Sequence, residues 1–217
     1  MSTALVPVKA LGRGKSRMDP ALAGAPLAEL VLAMLSDVLL ALAEVPHVKR
    51  RVVVTPDPRV AQAARELGAT ALLREDDGLN AALDAAAEAL APAPGEAWLV
   101  VLGDVAAARP ADLEQLFIAL GELGGRGVVC AASRDGGSSA LLRCPADCVP
   151  SLFGSQSAAA HERAARERGV PFRRLELPSL SLDLDTPEDL ETLARLGPGP
   201  HTARWLASWR ASQGASA

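Results

Sequence analysis

Aromatic residues are scarce in this chain, and tyrosine is absent. Its 217 residues include 3 Phe and 3 Trp, which amounts to 3% aromatic content. Proteins that bind single-stranded nucleic acid stack bases on aromatic side chains, so this composition argues against that class. A basic excess is missing too, because 22 Lys and Arg stand against 26 Asp and Glu, a net charge of −4. We therefore expect no nucleic-acid partner, and a small-molecule substrate is favoured.

Cysteine and long apolar runs are also scarce. The chain has 3 Cys, at positions 130, 144 and 148, and a small odd number is typical of reduced thiols in the cytoplasm. We expect buried or incidental thiols rather than metal ligands, since no second Cys or His pair has zinc-like spacing. The chain has no stretch of about 18 uninterrupted apolar residues, so we expect no transmembrane helix. Its first residues lack a signal-peptide pattern. We therefore expect a cytoplasmic protein that does not bind membranes.

Apolar runs of two kinds alternate along the chain, whose hydrophobic content is 49%. Short runs rich in β-branched residues predict strands over residues 4–8, 52–54, 69–73, 98–102, 128–132, 140–143, 172–177 and 181–185. Runs with helical periodicity predict helices over residues 26–44, 60–67, 79–90, 111–123, 156–168 and 187–196. Four strand–helix units in succession predict a three-layer α/β fold with a parallel, right-handed sheet.

The chain shows no internal repeat and no linker long enough to divide it. We therefore expect a single domain over residues 1–200, followed by a C-terminal tail over residues 201–217. Trp205 and Trp209 in this tail are four residues apart and would share one face of a helix. This spacing predicts a short docked helix before a frayed end.

A glycine-rich segment with cations follows the first predicted strand. It contains Gly12, Gly14, Lys15 and Arg17. Glycines let backbone N–H groups approach a phosphate, and the two cations supply positive charge. The spacing is neither that of a P-loop nor that of a dinucleotide-binding fingerprint. A phosphate-binding loop and a solvated basic turn both fit this pattern.

Acidic residues follow the most hydrophobic predicted strand and occur in the last one. Asp104 comes after residues 98–102, at the carboxyl end where open parallel sheets bind ligands, although a capping aspartate would also fit. Asp183 and Asp185 alternate in a strand-like segment and would face the same side. Thr186 begins a helix-capping pattern that explains the acids after it but not Asp183. Three acids from two strand ends, opposite a glycine–lysine loop, predict a Mg²⁺–phosphate site.

Small residues cluster at positions 135–139 and again at 153–157. The second cluster precedes a predicted helix, whose backbone N–H groups and nearby hydroxyls could hold an anion. Ordinary surface loops have the same composition, so both interpretations stand. His161 is expected to be a satisfied core or surface histidine, and the chain lacks the pattern of a hydrolase triad.

Five motifs taken together resemble a known family. In chain order they are Pro7-Val-Lys-Ala-Leu-x-x-Gly-Lys-Ser-Arg17, Gly78-Leu-Asn-x-Ala-Leu83, Leu102-Gly-Asp104 with Arg109-Pro-x-Asp-Leu113, Phe153-Gly-x-x-Ser157-x-x-x-His161, and Asp183-x-Asp-Thr-Pro-x-Asp-Leu190. Their order and spacing, from residue 4 to about residue 200, resemble the 2-phospho-L-lactate or phosphoenolpyruvate guanylyltransferases of deazaflavin coenzyme F-420 biosynthesis. The resemblance implies a three-layer, Rossmann-like nucleotidyltransferase fold with a mostly parallel mixed sheet.

The resemblance also implies a reaction and a set of site residues. GTP and a small phosphorylated carboxylic acid would give a guanylylated diphosphate and pyrophosphate, with catalysis by positioning and charge neutralisation. Magnesium, as two ions, would be held by Asp104, Asp183 and Asp185. The acceptor acid would lie at Ser139, Gly154 and Ser157. The nucleotide would contact Lys9, Gly14, Lys15, Arg17, Gly78, Leu79 and Asn80, with Lys15 and Asp104 as the catalytic pair.

The chain departs from the family pattern at two places. Val105-Ala106 stands where the family often has Leu-Pro, and Gly136-Gly-Ser-Ser139 stands where it often has Gly-Thr-Gly-Thr. The second departure touches the acceptor pocket, so phospholactate, phosphoenolpyruvate and phosphoglycerate all stay open as acceptors. A related enzyme that uses CTP or another NTP, and a non-catalytic nucleotide-binding paralogue, are the alternatives. A homodimer is compatible with each of them.

Overall fold

The predicted apolar strands pair into one seven-stranded sheet. A computed structural model describes residues 2–11, 22, 25–75, 78–182, 184 and 186–214. The strands are β1 Ser2–Pro7, β2 Val48–Thr55, β3 Thr70–Leu73, β4 Ala97–Val101, β5 Gly127–Ala132, β6 Ser138–Cys144 and β7 Phe172–Leu175. Their order across the sheet is β3-β2-β1-β4-β6-β5-β7.

One strand runs against the others. β6 pairs antiparallel with both β4 and β5, whereas every other pair in the sheet is parallel. The loop 133–137 between β5 and β6 is too short for the crossover that a parallel neighbour needs, so the two strands form a hairpin. The wholly parallel sheet predicted from the succession of strands and helices is therefore wrong at β6. The mostly parallel mixed sheet implied by the resemblance is confirmed.

Helices cover both faces of this sheet, which confirms the three-layer α/β fold. They are α1 Ala25–Ala43, α2 Pro58–Glu66, α3 Leu79–Leu90, α4 Pro110–Glu122, α5 Ser157–Glu167, α6 Pro187–Leu196 and α7 Pro200–Gly214. Consecutive strand residues face opposite sides: Val6 and Leu99 pack with α1, α2 and α4, whereas Leu5 and Val100 pack with α3 and α5.

Helix α1 is long and apolar enough, by length and composition, to cross a membrane. In this fold it lies against the sheet, and half of its most apolar stretch is buried. Leu35, Leu39 and Leu42 are fully buried in the same core as the α4 side chains. Its apolar character is thus used in packing the first layer onto the sheet.

The strand predicted over residues 181–185 is wrong for the part of that segment which the structure describes. Ser181, Leu182 and Leu184 belong to no strand, and a 3₁₀ turn over Pro178–Leu180 precedes them. Leu182 and Leu184 are nevertheless buried, in a cluster with Ala106 and other side chains beside α1. Two leucines spaced two residues apart produce the period of two in the sequence, and their burial does not require a hydrogen-bonded neighbour strand.

The C-terminal tail forms a helix that is longer than expected. α7 has 15 residues and packs on α1. Its N-terminus is satisfied by the buried Asp37 of α1, whose carboxylate accepts hydrogen bonds from the backbone N–H groups of His201 (2.9 Å) and Thr202 (2.8 Å). Trp205 and Trp209 stack with ring centroids 5.6 Å apart. The helix packs on α1, and the division of the chain at residue 200 stays a prediction.

Candidate active site

The main cavity opens at the edge of the sheet where β1, β2, β3 and β4 end. It has a volume of about 250 Å³. Ligands of open α/β sheets bind beyond these carboxyl ends, where the loops diverge and leave room. The segments that line it are residues 7–11 after β1, 54–56 at the end of β2, 74–75 after β3, Gly78, Leu79 and Ala82 around the start of α3, 102–104 after β4, and Leu27, Val31 and Met34 of α1.

Two of these walls approach each other so closely that only glycine fits between them. A Cβ atom on Gly103 would lie 2.8 Å from Cγ2 of Val8 and 3.3 Å from the carbonyl oxygen of Pro7. Carbon atoms in contact are normally about 3.5–4.0 Å apart. Gly103 therefore lets the turn that carries Asp104 lie directly against the end of β1. In the sequence this glycine is recognisable only as part of the motif Leu102-Gly-Asp104, and its steric role is not.

Asp57 fixes the start of the glycine-rich segment, and sequence reasoning missed this role. Its Oδ2 accepts a hydrogen bond from the N–H of Leu11 (3.0 Å), and its Oδ1 accepts one from the N–H of Arg59 (2.8 Å) at the start of α2. Burial alone raises the pKa of Asp57, but these backbone N–H groups outweigh burial and lower the pKa below its usual value. The available signal was an Asp directly before Pro58, a helix N-cap pattern.

Several predicted phosphate contacts lie outside the described residues. Gly14, Lys15 and Arg17 are among them. The segment that carries them leaves Leu11, which Asp57 holds at the mouth of the cavity. The structure thus describes where this segment begins.

Two cations belong to the described cavity wall. Lys9 was predicted and lines the cavity after β1, with an exposed side chain. Arg74 follows β3, lines the opposite wall and is half-buried, and sequence reasoning missed it. A lone Arg in a polar segment gives no sequence signal, because only the sheet order brings the end of β3 to the same cavity.

The start of α3, to which the resemblance assigns contacts with the nucleotide, forms another wall of the cavity. Gly78 and Leu79 both line it. Asn80 does not, because its side-chain amide is bonded to the backbone of Phe153 instead. The three consecutive residues therefore have two different surroundings.

Asp104 lies in the cavity wall beyond β4, where the sequence predicted it. Asp183 and Asp185, its predicted partners, are outside the described residues. Among the residues that are described, no group of three His, Cys, Asp or Glu side chains could hold a metal ion. The magnesium site of Asp104, Asp183 and Asp185 therefore stays a prediction.

The described neighbours of these aspartates belong to the same hydrophobic cluster as two residues that follow Asp104. Leu182 and Leu184 are buried in one cluster with Ala106 and Ala107, which follow Asp104 by two and three residues. The approach to this segment is fixed as well, since Asp112 of α4 accepts a hydrogen bond from the Ser179 hydroxyl at 2.6 Å. The exit is fixed by the helix start predicted at Thr186, which is confirmed: Thr186 and Asp189 form a capping box, in which the Asp189 carboxylate accepts a hydrogen bond from Thr186 N–H.

The hydroxyls predicted to hold the acceptor acid are buried within the protein. Ser139 donates to the carbonyl oxygen of Ala131 at 3.2 Å, and Ser157 donates to the Ser138 hydroxyl at 3.1 Å. Neither residue lines the main cavity. Ser139 still lies near Asp104 along the sheet, because its carbonyl oxygen accepts a hydrogen bond from Leu102 N–H at 3.0 Å. Both hydroxyls, the carbonyl oxygen of Ser139 and the N–H of Ser157 are therefore engaged within the protein.

His161 of α5 completes this buried network. Its Nδ1 lies 3.1 Å from the Ser138 hydroxyl, and its Nε2 accepts a hydrogen bond from Leu152 N–H at 3.0 Å. Desolvation, with the charge of Arg143 as a second cause, lowers the pKa of His161 to about 4, so the ring is neutral at physiological pH. The expected satisfied core histidine is confirmed.

Gly154 lies between this network and the start of α5. Its φ of +140° lies in a region that favours glycine, and a Cβ atom there would meet nothing within 4 Å. Its carbonyl oxygen accepts a hydrogen bond from Ser157 N–H at 3.2 Å. The residue is exposed, so its surface is open to a ligand.

The three cysteines behave as predicted. Cys130 and Cys144 are buried, Cys148 is half-buried, and none forms a disulfide. Burial raises the pKa of each thiol, that of Cys130 to about 11. Thiols that stay protonated are poor nucleophiles and poor metal ligands.

The fold is shared with α/β nucleotidyltransferases of known structure. A nucleotidyl transferase from Methanothermobacter has the same fold, with a TM-score of 0.64 and 22% identity, covering 90% of this chain and 97% of that one. The family described as "Guanylyl transferase CofC like" matches residues 2–215. The chain belongs to this family of enzymes.

Two relatives are similar along nearly their whole length. A protein of Sphaerobacter thermophilus named phosphoenolpyruvate guanylyltransferase is 38% identical over 90% of this chain and 93% of its own. A protein of Phenylobacterium zucineum named 3-phospho-D-glycerate guanylyltransferase is 39% identical over 97% of this chain and 100% of its own. The family, the fold and the enzyme class inferred from the sequence motifs are thereby confirmed.

Proposed function

We propose that this enzyme transfers GMP from GTP to a three-carbon phosphorylated carboxylic acid and releases pyrophosphate. The proposal rests mainly on one observation: a family of guanylyl transferases matches the chain from residue 2 to residue 215. Its relatives are named for phosphoenolpyruvate and 3-phospho-D-glycerate, which both combine a phosphate with a carboxylate on a short carbon chain. 2-Phospho-L-lactate has the same features. The guanylylated product would serve deazaflavin coenzyme F-420 biosynthesis.

The main cavity is the proposed nucleotide subsite. Its apolar walls, from α1 and the start of α3, suit a purine base and a ribose. Lys9 at the cavity rim, together with Gly14, Lys15 and Arg17, would face the triphosphate. Asp57 supports this arrangement, because it holds the point where the glycine-rich segment leaves the cavity wall. Backbone N–H groups and cations are the usual ligands of phosphate in such segments.

Two magnesium ions are proposed at Asp104, with Asp183 and Asp185 as further ligands. The residues suit the metal, because carboxylate oxygens are the donors that Mg²⁺ prefers. Burial of Leu182 and Leu184 beside Ala106 supports the proximity of the three acids. Magnesium would neutralise the negative charge of the reacting phosphates of GTP and of the acceptor acid.

The acceptor acid is proposed to lie at the start of α5, beside Gly154 and Ser157, with Ser139 at the adjoining strand end. The hydroxyls of Ser139 and Ser157 and the N–H of Ser157 are engaged within the protein, so we assign the direct contact to the backbone of the exposed Gly154. The N-terminus of a helix favours anions through its unpaired N–H groups and its dipole. This places the acceptor on the α5 side of Asp104 and the nucleotide on the α3 side.

The proposed chemistry is an in-line displacement at the α-phosphorus of GTP. A phosphate oxygen of the acceptor forms the new P–O bond, the bond between the α-phosphorus and the bridging oxygen breaks, and pyrophosphate carries away that electron pair. Asp104 would hold magnesium, which would supply positive charge beside the reacting phosphates, and Lys15 would neutralise charge on the triphosphate. No covalent intermediate with the protein is needed, so positioning and electrostatics account for the catalysis.

Pyrophosphate release with four NTPs and three acceptor acids tests the proposal. We expect turnover with GTP and at least one of phosphoenolpyruvate, 3-phosphoglycerate and 2-phospholactate. Turnover with CTP instead would favour a different nucleotidyltransferase, and binding of GTP without turnover on any acceptor would favour a non-catalytic paralogue. Either result would contradict the proposal.

Asp104→Asn tests the metal assignment. Loss of one anionic ligand should lower kcat at least about 100-fold, and added Mg²⁺ should recover only part of it. Asp147→Asn is the matched control, because Asp147 is exposed and is not among the residues that line the cavity, and its rate should be unchanged. A wild-type rate for Asp104→Asn at saturating Mg²⁺ would refute the assignment.

We also propose that the enzyme acts in the cytoplasm, where its small-molecule substrates occur. The homodimer that the sequence left open is a further prediction. Sedimentation equilibrium of the full chain measures it.

A further inference from the structure

The side-chain amide of Asn80 is bonded to both backbone polar groups of one distant residue. Its Nδ2 donates a hydrogen bond to the carbonyl oxygen of Phe153 (3.0 Å), and its Oδ1 accepts one from the N–H of Phe153 (2.9 Å). The two residues are 73 positions apart in the chain. We call this pair of hydrogen bonds the amide tie. It reproduces the paired N–H and C=O bonds that a neighbouring strand would make.

The amide tie joins the two proposed subsites. Asn80 directly follows Gly78 and Leu79, which form the α3 wall of the nucleotide cavity. Phe153 directly precedes Gly154, in the segment 151–156 that leads into the proposed acceptor site. We call residues 151–156 the acceptor loop. It belongs to no helix or strand.

Other elements of the fold hold the acceptor loop at the two residues that precede Phe153. Leu152 N–H donates to His161 of α5, and the Ser151 hydroxyl lies 3.4 Å from the guanidinium of Arg143 in β6. These contacts attach the loop to the α5 side of the protein. Among the described residues, the amide tie is the contact that attaches it by hydrogen bonds to α3 and the nucleotide wall.

We propose that Asn80 is a positioning residue that holds the acceptor loop next to the α3 wall of the nucleotide cavity. GTP bound against this wall would thereby order the site for the acceptor. The inference rests on the proposed function for the identity of the two substrates. A ligand that contacts Gly78 and Leu79 restrains the first turn of α3, and the amide tie passes this restraint to Phe153 and Gly154. The consequence is that GTP binding strengthens acceptor binding, and by linkage the acceptor strengthens GTP binding equally.

The side chain must be asparagine for this tie. Aspartate at position 80 could accept from Phe153 N–H, but it has no donor for the carbonyl oxygen and would place a charge against it. Alanine removes both hydrogen bonds and leaves the two backbone groups of Phe153 to water. The two variants therefore separate loss of the tie from repulsion at the tie.

The test compares Asn80→Ala and Asn80→Asp with wild type by steady-state kinetics. Loss of two hydrogen bonds should lower kcat/KM for the acceptor roughly ten- to hundredfold, while calorimetric affinity for GTP in the absence of acceptor changes less than about threefold. Asn80→Asp should be at least as impaired as Asn80→Ala. Gln62→Ala is the matched control, because Gln62 is a helical amide side chain that donates to Glu66 on the exposed face of α2. It should match wild type.

Hydrogen exchange provides a readout that does not need turnover. In wild type, GTP should slow exchange of the acceptor-loop amides, and in Asn80→Ala this slowing should disappear while exchange at Phe153 rises at least about tenfold. Loss of GTP affinity with unchanged acceptor kinetics in Asn80→Ala would overturn the proposal and assign Asn80 to the nucleotide. Unchanged exchange at the loop would overturn it too. Failure of wild type to transfer GMP would refute the proposed function alone, because the exchange experiment with GTP still reports on the tie.

Discussion

Replacement of Gly103 by alanine should damage the active site through a steric contact that the structure defines. The added Cβ would lie 2.8 Å from Cγ2 of Val8, at least about 0.7 Å inside a normal carbon–carbon contact, and 3.3 Å from the carbonyl oxygen of Pro7. The carbonyl belongs to the β1 backbone, and the β-branched side chain has few alternative rotamers. The turn that carries Asp104 must therefore shift.

The magnitude follows from overpacking and from misplacement of the site. Overpacking of a well-packed region costs about 1–3 kcal/mol of unfolding free energy. A shift of the Asp104 turn by a large fraction of an ångström should lower kcat by about 100-fold, because reacting groups tolerate little misplacement. We expect the melting temperature of Gly103→Ala to fall and kcat to fall more than KM rises. Thermal unfolding and pyrophosphate release measure the two effects.

Two further variants make this reasoning refutable. Val8→Ala in the Gly103→Ala background removes the clashing methyl group, so the double variant should recover part of the stability and rate lost by Gly103→Ala, relative to Val8→Ala alone. Gly121→Ala is the control, since Gly121 lies in the last turn of α4 and a Cβ there meets nothing within 4 Å. It should stabilise the protein by up to about 1 kcal/mol with unchanged kinetics. Strict additivity of the Val8 and Gly103 substitutions would contradict the steric explanation.

Three other changes have expected outcomes. Arg74→Leu should raise KM for GTP roughly tenfold and leave KM for the acceptor unchanged, as steady-state kinetics would show. Because the pKa of His161 is lowered to about 4 in the folded state, its contribution to stability is present above pH 6.5 and lost as the pH falls toward 4. The difference in unfolding free energy between wild type and His161→Asn, measured by chemical denaturation, should therefore shrink by up to about 3 kcal/mol over that range. A difference that does not change with pH would contradict the assignment. The Cys130 thiol should react with Ellman's reagent only after unfolding, since it is fully buried and its pKa is about 11.

The sequence alone determined those features that depend on neighbouring residues. Helix and strand periodicities predicted the three layers, because burial of one face repeats along an element. The capping box at Thr186 and the position of Asp104 after β4 were predictable for the same local reason. The resemblance added the family and the list of site residues, of which Lys9, Gly78 and Leu79 lie at the cavity.

The tertiary structure decided what depends on how distant segments meet. Three features depend on residues that are distant in the sequence and that only the complete fold brings together. They are the direction of β6, the hydrogen bond from Leu11 N–H to Asp57, and the amide tie between Asn80 and Phe153. Periodicity records that a side chain is buried but not what lies against it, which is why the leucines of 181–185 predicted a strand that the described residues do not form. A polar side chain bonded to a backbone group 73 residues away leaves no local signal, because its partner is chosen by the packing of the whole fold.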